Sequence, residues 1–509
     1  MEHLDVLVVG AGLSGVAAGH HLTEKCPWAS WAIFEARDSM GGTWDLFRYP
    51  GVRSDSDMYT LGFSFRPWTD PISIADGDAI LDYIRETAHE GGIDTRIRYR
   101  HRIVSADWSS EESVWRITAE HAPPEGGGPP ERVELTSGFL FSCTGYYRYD
   151  EGYTPQWDGV DDFGGDLVHP QHWPEDLDYE GRDVVVIGSG ATAVTLVPAM
   201  ADSAGHVTML QRSPTWMAAG PRHSPISKLL NTGLARKLLP KRWAGSVTRW
   251  FHAVMSQLFY GFCQRFPRAA ARMLLKGVER ELPEGFDVQQ HFTPRYDPWD
   301  QRLCLVPDGD LFRGIREGTV SVVTDTIDTF TAKGIRLDSG DELDADIVVA
   351  ATGLELLFLG GISVSLEGEP LDVTERLTWK GMMIEDVPNL AFAIGYTNAS
   401  WTLKCDLTCD SVARLLNEMR DRSMGSVTPS CEDPTVTAEP LLALDAGYMK
   451  RAADRLPRQG SRAPWRVRQS YLSDFRAMKM GPILDEGLQL AHPGARWGRR
   501  AGEPADRSA

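Results

Sequence analysis

The 509-residue sequence has no uninterrupted apolar run approaching the roughly 20 residues of a membrane-spanning helix, so no spanning helix is expected. Its start lacks a basic stretch followed by an apolar core. The chain enters a strand-like run almost at once, and a cytoplasmic location is the default expectation. Cysteine is scarce. Seven cysteines at irregular spacings suggest no disulfide framework, and Cys405 and Cys409 have no nearby histidine to complete a metal site. The thiols read as reduced, and no metal is expected. Positive charge is in deficit: 52 Lys and Arg stand against 71 Asp and Glu, a net charge of −19. That sets nucleic acid aside as a partner, because its phosphates would be repelled. The rest is typical of a folded protein, 42% hydrophobic and 24% charged, over a length suited to two or three domains.

Against this background two glycine-rich turns stand out. The first apolar run, Leu4 to Val9, ends in Gly10-Ala11-Gly12-Leu13-Ser14-Gly15 and passes into a helical pattern reaching about Thr23. A second strand, Trp31 to Phe34, ends at Glu35. A GxGxxG turn alone is weak, but strand, glycine turn, helix, strand and acid in this order are the parts of a dinucleotide site. Gly10 permits the tight turn, Gly12 lets the backbone approach a pyrophosphate, and Gly15 lets helix and strand pack closely. The helix N-terminus turns free N–H groups and a positive dipole end toward the phosphates. Glu35 can accept from the ribose hydroxyls of an adenosine and would repel a 2′-phosphate, so this site suits FAD.

The second turn follows the run Asp183 to Ile187 and reads Gly188-Ser189-Gly190-Ala191-Thr192-Ala193, the GxGxxA version. No acid ends its next strand, Val207 to Leu210. Gln211-Arg212-Ser213 stands there instead, and the guanidinium of Arg212 with the hydroxyl of Ser213 suits a 2′-phosphate. NADPH is favoured over NADH. A disulfide reductase would need a cysteine pair shortly after the first acid, but Gly41-Gly42-Thr43-Trp44 holds none, so the electrons are expected to go to O2. The expected fold class is α/β, with two Rossmann-like dinucleotide-binding domains, the second inserted in the first. Residues 1–155 and 341–491 would form the FAD-binding domain and residues 156–340 the NADPH-binding domain.

Two further segments carry a family resemblance. Asp162 to Pro174, DFGGDLVHPQHWP, sets Phe163, Gly165, His169 and Trp173 in the spacing FxGxxxHxxxW. Gly41 to Asp55, GGTWDLFRYPGVRSD, supplies a Gly-Gly-x-Trp run, then Tyr49-Pro50-Gly51, then Asp55. On these residues the chain resembles the type I flavin-dependent Baeyer–Villiger monooxygenases, from its first strand to about residue 490. It looks most like the mycobacterial FAD-containing members, which include a thioamide-prodrug-activating enzyme. The resemblance implies that NADPH reduces the flavin, that oxygen adds at its C4a atom, and that the resulting peroxide converts a ketone to an ester or lactone. Oxygenation of sulfides or thiocarbonyls is implied as a side activity.

The same resemblance points to Arg302, within Pro298-Trp299-Asp300-Gln301-Arg302-Leu303, as the active-site cation and to Asp55 as the carboxylate that orients it. A guanidinium keeps its charge at working pH and so suits developing anions. Thr43 and Trp44 are expected beside the flavin. The helix beginning near Trp401 is expected to aim its N-terminal amides at the flavin, and Asn398 and Trp401 to line the pocket. His169 and Trp173 read as organisers of the linker between domains rather than as chemical groups. Two alternatives stand beside this reading: an oxygenase mainly of sulfur or nitrogen, and a nucleotide-binding sensor that does not oxygenate.

Between Ile226 and Leu282, inside an expected helical insert at about 222–292, eleven Lys or Arg face Glu279 and Glu281, a local charge of +9. One reading is a lid whose apolar stripe packs over the substrate entrance while its cations reach outward. The other is peripheral contact with anionic lipid. Residues 492–509, rich in Arg, Gly, Pro and Ala, are expected to be disordered. Neither the native substrate nor the oligomeric state has a signature in the sequence.

Overall fold

The computed structural model describes residues 1–124, 127–230, 241–442, 447–485, 487–493 and 497. Its first strand, Glu2–Val9, runs parallel to Trp31–Phe34, with Val6 opposite Trp31. It also runs parallel to Glu131–Ser142, with Val6 opposite Phe139. Buried from Leu4 to Val9, the strand reads as a continuous apolar block broken only by Asp5. Asp5 accepts from the backbone N and the hydroxyl of Ser30. Around this centre an eleven-stranded mixed sheet extends through Val114–His121 and His101–Ser109 on one side and Ile97–Arg98 on the other. Leu390–Phe392 joins it parallel to Glu131–Ser142 and leads toward the helix Trp401–Asp421, which packs on the first helix, Leu13–Lys25.

The second sheet has five strands, all parallel, in the order Val320–Thr324, His206–Gln211, Asp183–Ile187, Ile347–Ala350, Asp166–Val168. This moves the expected domain boundary at 340/341. Ile347–Ala350 pairs with Val184–Ile187 on one side and Asp166–Val168 on the other, so the second unit continues at least to Ala350. The basic insert leaves and returns through a parallel pair, Met217–Gly220 against Cys304–Pro307. Its described helices are Pro225–Leu230, Lys241–Arg265, Pro267–Glu281 and the short Val288–His291, while residues 231–240 lie outside the described residues. Residues 125–126, between the strands Val114–His121 and Glu131–Ser142, lie outside them too.

His492, Pro493 and Trp497, the described residues of the expected disordered tail, depart from that expectation. Leu488–Pro493 pairs antiparallel with Met424–Pro429, and the Trp497 indole donates to the Met424 carbonyl at 2.8 Å while meeting Trp28 edge-on at 6.0 Å. The ladder and the aromatic contact hold the chain past the point where its composition turns polar. Residues 494–496 and 498–509, the rest of the expected disordered tail, lie outside the described residues.

The contact between the helices Leu13–Lys25 and Trp401–Asp421 buries charge. His21 Nε2 lies 2.8 Å from Asp406 Oδ1, and Lys25 and Lys479 both reach Asp410. Burial opposes ionisation of Asp406, but the His21 hydrogen bond and the charges of His21 and Arg249 outweigh it and hold the carboxyl below its usual range. A depressed folded pKa means that Asp406 stabilises the fold above the unfolded carboxylate value, and that this contribution fades as pH falls toward the folded value. Asp406→Asn is expected to cost about 1–3 kcal/mol at neutral pH. The gap to wild type should narrow below about pH 4, which thermal melts at pH 7 and pH 3.5 will check.

Candidate active site

Both glycine turns open onto one cleft of about 1120 Å³, larger than the roughly 300–1,000 Å³ of single-ligand pockets. Gly10, Gly12, Glu35, Thr43, Trp44 and Asp55 line it from the first unit, with Gly188, Gly190, Arg212, Ser213 and Arg302 from the second. Gly15 and Ala193 do not face the cleft. A Cβ on Gly15 would lie 1.9 Å from the Gly10 carbonyl oxygen, and Ala193 is fully buried in the core of the second unit. Both are closeness residues, where helix meets strand.

The turns fit nucleotides locally. Gly188 has φ +135°, and a Cβ there would strike the Ala351 carbonyl at 2.4 Å, whereas the space over Gly190 is open. Glu35 is buried and accepts from the backbone N–H of Ala11 at 2.8 Å and of Arg37 at 2.9 Å. Those two bonds fix the carboxyl and leave lone pairs for ribose hydroxyls. Burial pushes its pKa up against them. Gly41 donates to the Ala11 carbonyl, so Gly41-Gly42-Thr43-Trp44 packs directly over the first turn. At the second turn Arg212 and Ser213 are exposed on the cleft wall, and among the described residues Arg212 pairs with no carboxylate. The Ser213 carbonyl accepts from Ser189 Oγ at 3.1 Å, holding this strand end against the glycine turn.

Asp55 and Arg302 come from sequence positions far apart and meet in the cleft, Arg302 Nη2 to Asp55 Oδ2 at 2.7 Å. Asp55 follows a β-bridge between Arg53 and Asp76, and Arg302 stands two residues before the strand Cys304–Pro307 that closes the basic insert. Both side chains are about one-third exposed, 32% and 38%. Arg302 opens into the cleft while protein surrounds it. Burial works against its charge, the Asp55 carboxylate more than offsets this and keeps its pKa above the ordinary value, and the phenols of Tyr146, Tyr448 and Tyr147 stand around it.

Those phenols are the part of the site that sequence reasoning missed. The hydroxyls of Tyr146 and Tyr147 lie 3.2 Å apart, and the Tyr146 ring stands 4.9 Å from that of Trp401. Burial raises the pKa of all three tyrosines, so they remain neutral donors. Tyr146 and Tyr147 follow Thr144-Gly145 at the end of a central strand, much as Thr352-Gly353 follows Ile347–Ala350. That repeated Thr-Gly pair is the signal that marked the position. Trp401 lines the cleft as expected and donates to Ser14 Oγ at 3.0 Å. Asn398 does not line it. Its amide donates to the Gln469 carbonyl at 2.9 Å, and it also bonds Tyr260.

The FxGxxxHxxxW residues lie outside the cleft lining. The Phe163 ring meets Phe330 at 5.8 Å, and a Cβ on Gly165 would lie 2.2 Å from the Asp346 carbonyl, where the edge strand Asp166–Val168 begins its pairing. His169 Nδ1 accepts from the Gln171 amide at 3.2 Å, and its ring fills the space a Cβ on Gly152 would need. Burial lowers its pKa, so the imidazole is uncharged at neutral pH. Trp173 packs against the second core beside Tyr179.

Residues 8–69 match the family model of NAD(P)-binding Rossmann-like domains. The chain is 54% identical to the FAD-containing monooxygenase EthA of Mycobacterium tuberculosis, over 96% of this chain and 98% of that one. The chain belongs to the FAD-containing monooxygenases. A second relative, the FAD-containing monooxygenase EthA of Mycolicibacterium smegmatis, is 51% identical over 96% of this chain and 97% of its own. Among solved structures, an oxidised steroid monooxygenase bound to NADP matches with TM-score 0.69 and 22% identity, over 84% of this chain and 88% of that one. A cyclohexanone monooxygenase bound to ε-caprolactone matches with TM-score 0.72 and 18% identity, over 96% of this chain and 100% of its own. These structures share the fold.

The monooxygenase is therefore a flavoprotein with FAD and NADP(H) as cofactors, using O2 on small organic substrates. No helix among its described residues is long and apolar enough to cross a membrane.

Proposed function

We propose that this monooxygenase inserts one oxygen atom into a carbon–carbon bond of a ketone, giving an ester or lactone, with sulfides and thiocarbonyls as further substrates. One observation carries the reading: the Arg302–Asp55 ion pair at 2.7 Å, facing a cleft shared by both nucleotide turns. Bound FAD, reduced by NADPH, supplies the oxygen-activating chemistry. The first turn, Glu35, Thr43 and Trp44 would hold FAD; the second turn, Arg212 and Ser213 would hold NADPH. Arg302 then stabilises negative charge that develops on oxygen in the cleft, with a fork of donors that cannot lose its proton. Asp55 is a positioning residue that fixes the plane of that fork. The neutral phenols of Tyr146, Tyr147 and Tyr448 offer further hydrogen bonds without competing for the charge.

Oxygenation chiefly at sulfur or nitrogen is the second reading. The relatives are named as monooxygenases without a specified carbonyl substrate, which sits better with this broader chemistry than with ester formation alone. Incubating the holoenzyme with NADPH, air and either a ketone or a thioether, with product masses measured, separates the two. Ester or lactone from the ketone is the expected result. Sulfoxide from the thioether with unreacted ketones across linear, cyclic and aryl types would replace it with the second reading.

A further inference from the structure

The helix Lys241–Arg265 is fastened to the body of the protein chiefly along one side, and Trp250, at the margin of its other face, meets Tyr471 at 5.5 Å and Phe475 at 5.1 Å. Arg249, buried at 4% exposure, donates from Nη1 to the carbonyls of Tyr59 and Thr60 at 3.1 Å each and to that of Gly62. Ala244, Thr248 and Ala253 are buried on the same side, and His252 bonds Ser224 at 2.9 Å. The inner face is thus already occupied. Tyr260, further along, bonds Asn398 and meets Trp299, three residues before Arg302, so this helix also borders the active-site segment.

The outer face is apolar. From residue 243 to 258 the exposed positions are Trp243, Val247, Trp250, Phe251, Met255 and Leu258, with no charged residue among them. Trp243, Val247, Phe251, Met255 and Leu258 recur every three or four residues, with Trp250 widening the stripe beside Phe251, over about 22 Å at 1.5 Å per residue. Trp243 is 66% and Leu258 61% exposed. Single exposed apolar residues are ordinary, but a continuous stripe of this length marks an interaction surface.

Beyond it, the exposed cations Arg265, Arg268, Arg272, Lys276 and Arg280 follow on the same helix end and on the helix Pro267–Glu281, and among the described residues none pairs with a carboxylate. Exposed Phe266 and Met273 are interspersed with them. On a chain of net charge −19 this is a local reversal of sign.

We propose that this face docks in the plane of an anionic phospholipid surface, the stripe entering the headgroup–acyl boundary and the cations meeting lipid phosphates. Charge complementarity selects this occupant. A two-fold contact between copies would add a second set of the same cations to the interface, with no carboxylate among the exposed positions of the stripe to neutralise them. A bilayer of anionic lipid neutralises them, and Trp and Phe suit its interface. The inference is independent of whether the oxygenated atom is carbon or sulfur.

The test is co-sedimentation of the holoenzyme with vesicles of equimolar phosphatidylcholine and phosphatidylglycerol, against phosphatidylcholine alone, at low and high salt. Binding to the anionic vesicles at low salt and release at high salt are expected. Arg268→Gln with Arg272→Gln should weaken binding about five-fold per cation removed. Trp243→Ser with Phe251→Ser and Leu258→Ser should weaken it more than about ten-fold, as several buried apolar side chains are lost. Unchanged FAD content and vesicle-free NADPH oxidation in each variant confirm that the fold is intact. Wild type that remains in the supernatant with anionic vesicles at low salt overturns the proposal, as does an apolar-stripe variant that binds like wild type. A vesicle-free dimer that the stripe substitutions dissolve assigns the face to a second copy instead.

Discussion

Arg302→Ala is expected to retain FAD and still oxidise NADPH while forming oxygenated product about 100- to 1,000-fold more slowly, the cost of removing one preorganised oxyanion donor. The glycine turns and Glu35 lie apart from Arg302 in the chain, so cofactor retention should survive the substitution. What the variant loses is the fixed positive charge that faces the cleft 2.7 Å from Asp55. Removing it also leaves the Asp55 carboxylate beside neutral phenols, adding repulsion for any developing anion. Oxygen consumed should then appear as hydrogen peroxide, and the ratio of product to NADPH oxidised is the number to measure. Arg302→Lys restores the charge but not the planar fork, so it should recover part of the rate. Asp55→Asn should lower product formation less than Arg302→Ala, because the cation remains but its orientation is looser. Arg302→Ala that forms product at the wild-type rate ends the assignment.

The dinucleotide units were legible because their signals are local. Trp31–Phe34 and Asp183–Ile187 have the bounds read from the apolar runs alone, since strands buried on both faces leave uninterrupted blocks between turn residues. What escaped was nonlocal. Ile347–Ala350 looks like any buried strand, and only its pairing with Val184–Ile187 puts it in the second sheet. His492 and Pro493, expected in a disordered tail, end a strand that pairs with residues more than 50 positions earlier, which composition does not encode. The Arg302–Asp55 pair was named through resemblance, whereas its ring of phenols was not. Tyr448 sits on a short helix, Gly447–Ala452, with no periodic pattern to single it out, and it reaches Arg302 only through tertiary packing. The apolar stripe on Lys241–Arg265 shows the same limit from the other side. The sequence gives its helical spacing, but only the buried bonds of Arg249 reveal which face is turned outward.

Arg212→Ala should weaken NADPH by roughly 10- to 100-fold and leave NADH nearly unchanged, because charge-assisted hydrogen bonds are worth about 1.5–3 kcal/mol and 1.4 kcal/mol is a factor of ten. The two nucleotides differ only at the 2′ position, so a loss confined to NADPH locates the contact there. Arg212 is exposed on the cleft wall with no carboxylate partner among the described residues, so the substitution removes little packing. Arg212→Lys keeps a point charge without the bidentate fork and should fall between wild type and alanine. Ser213→Ala should cost about 0.5–1.5 kcal/mol, the worth of one neutral hydrogen bond. A second readout follows from the ligand itself. The second ionisation of a phosphate monoester lies near pH 6, so the wild-type preference for NADPH should weaken as pH falls from about 7 to 5.5, while Arg212→Ala shows a flatter profile. Equal losses for NADPH and NADH in KM would instead make Arg212 a structural support of the strand end His206–Gln211, and the 2′-phosphate would need another partner.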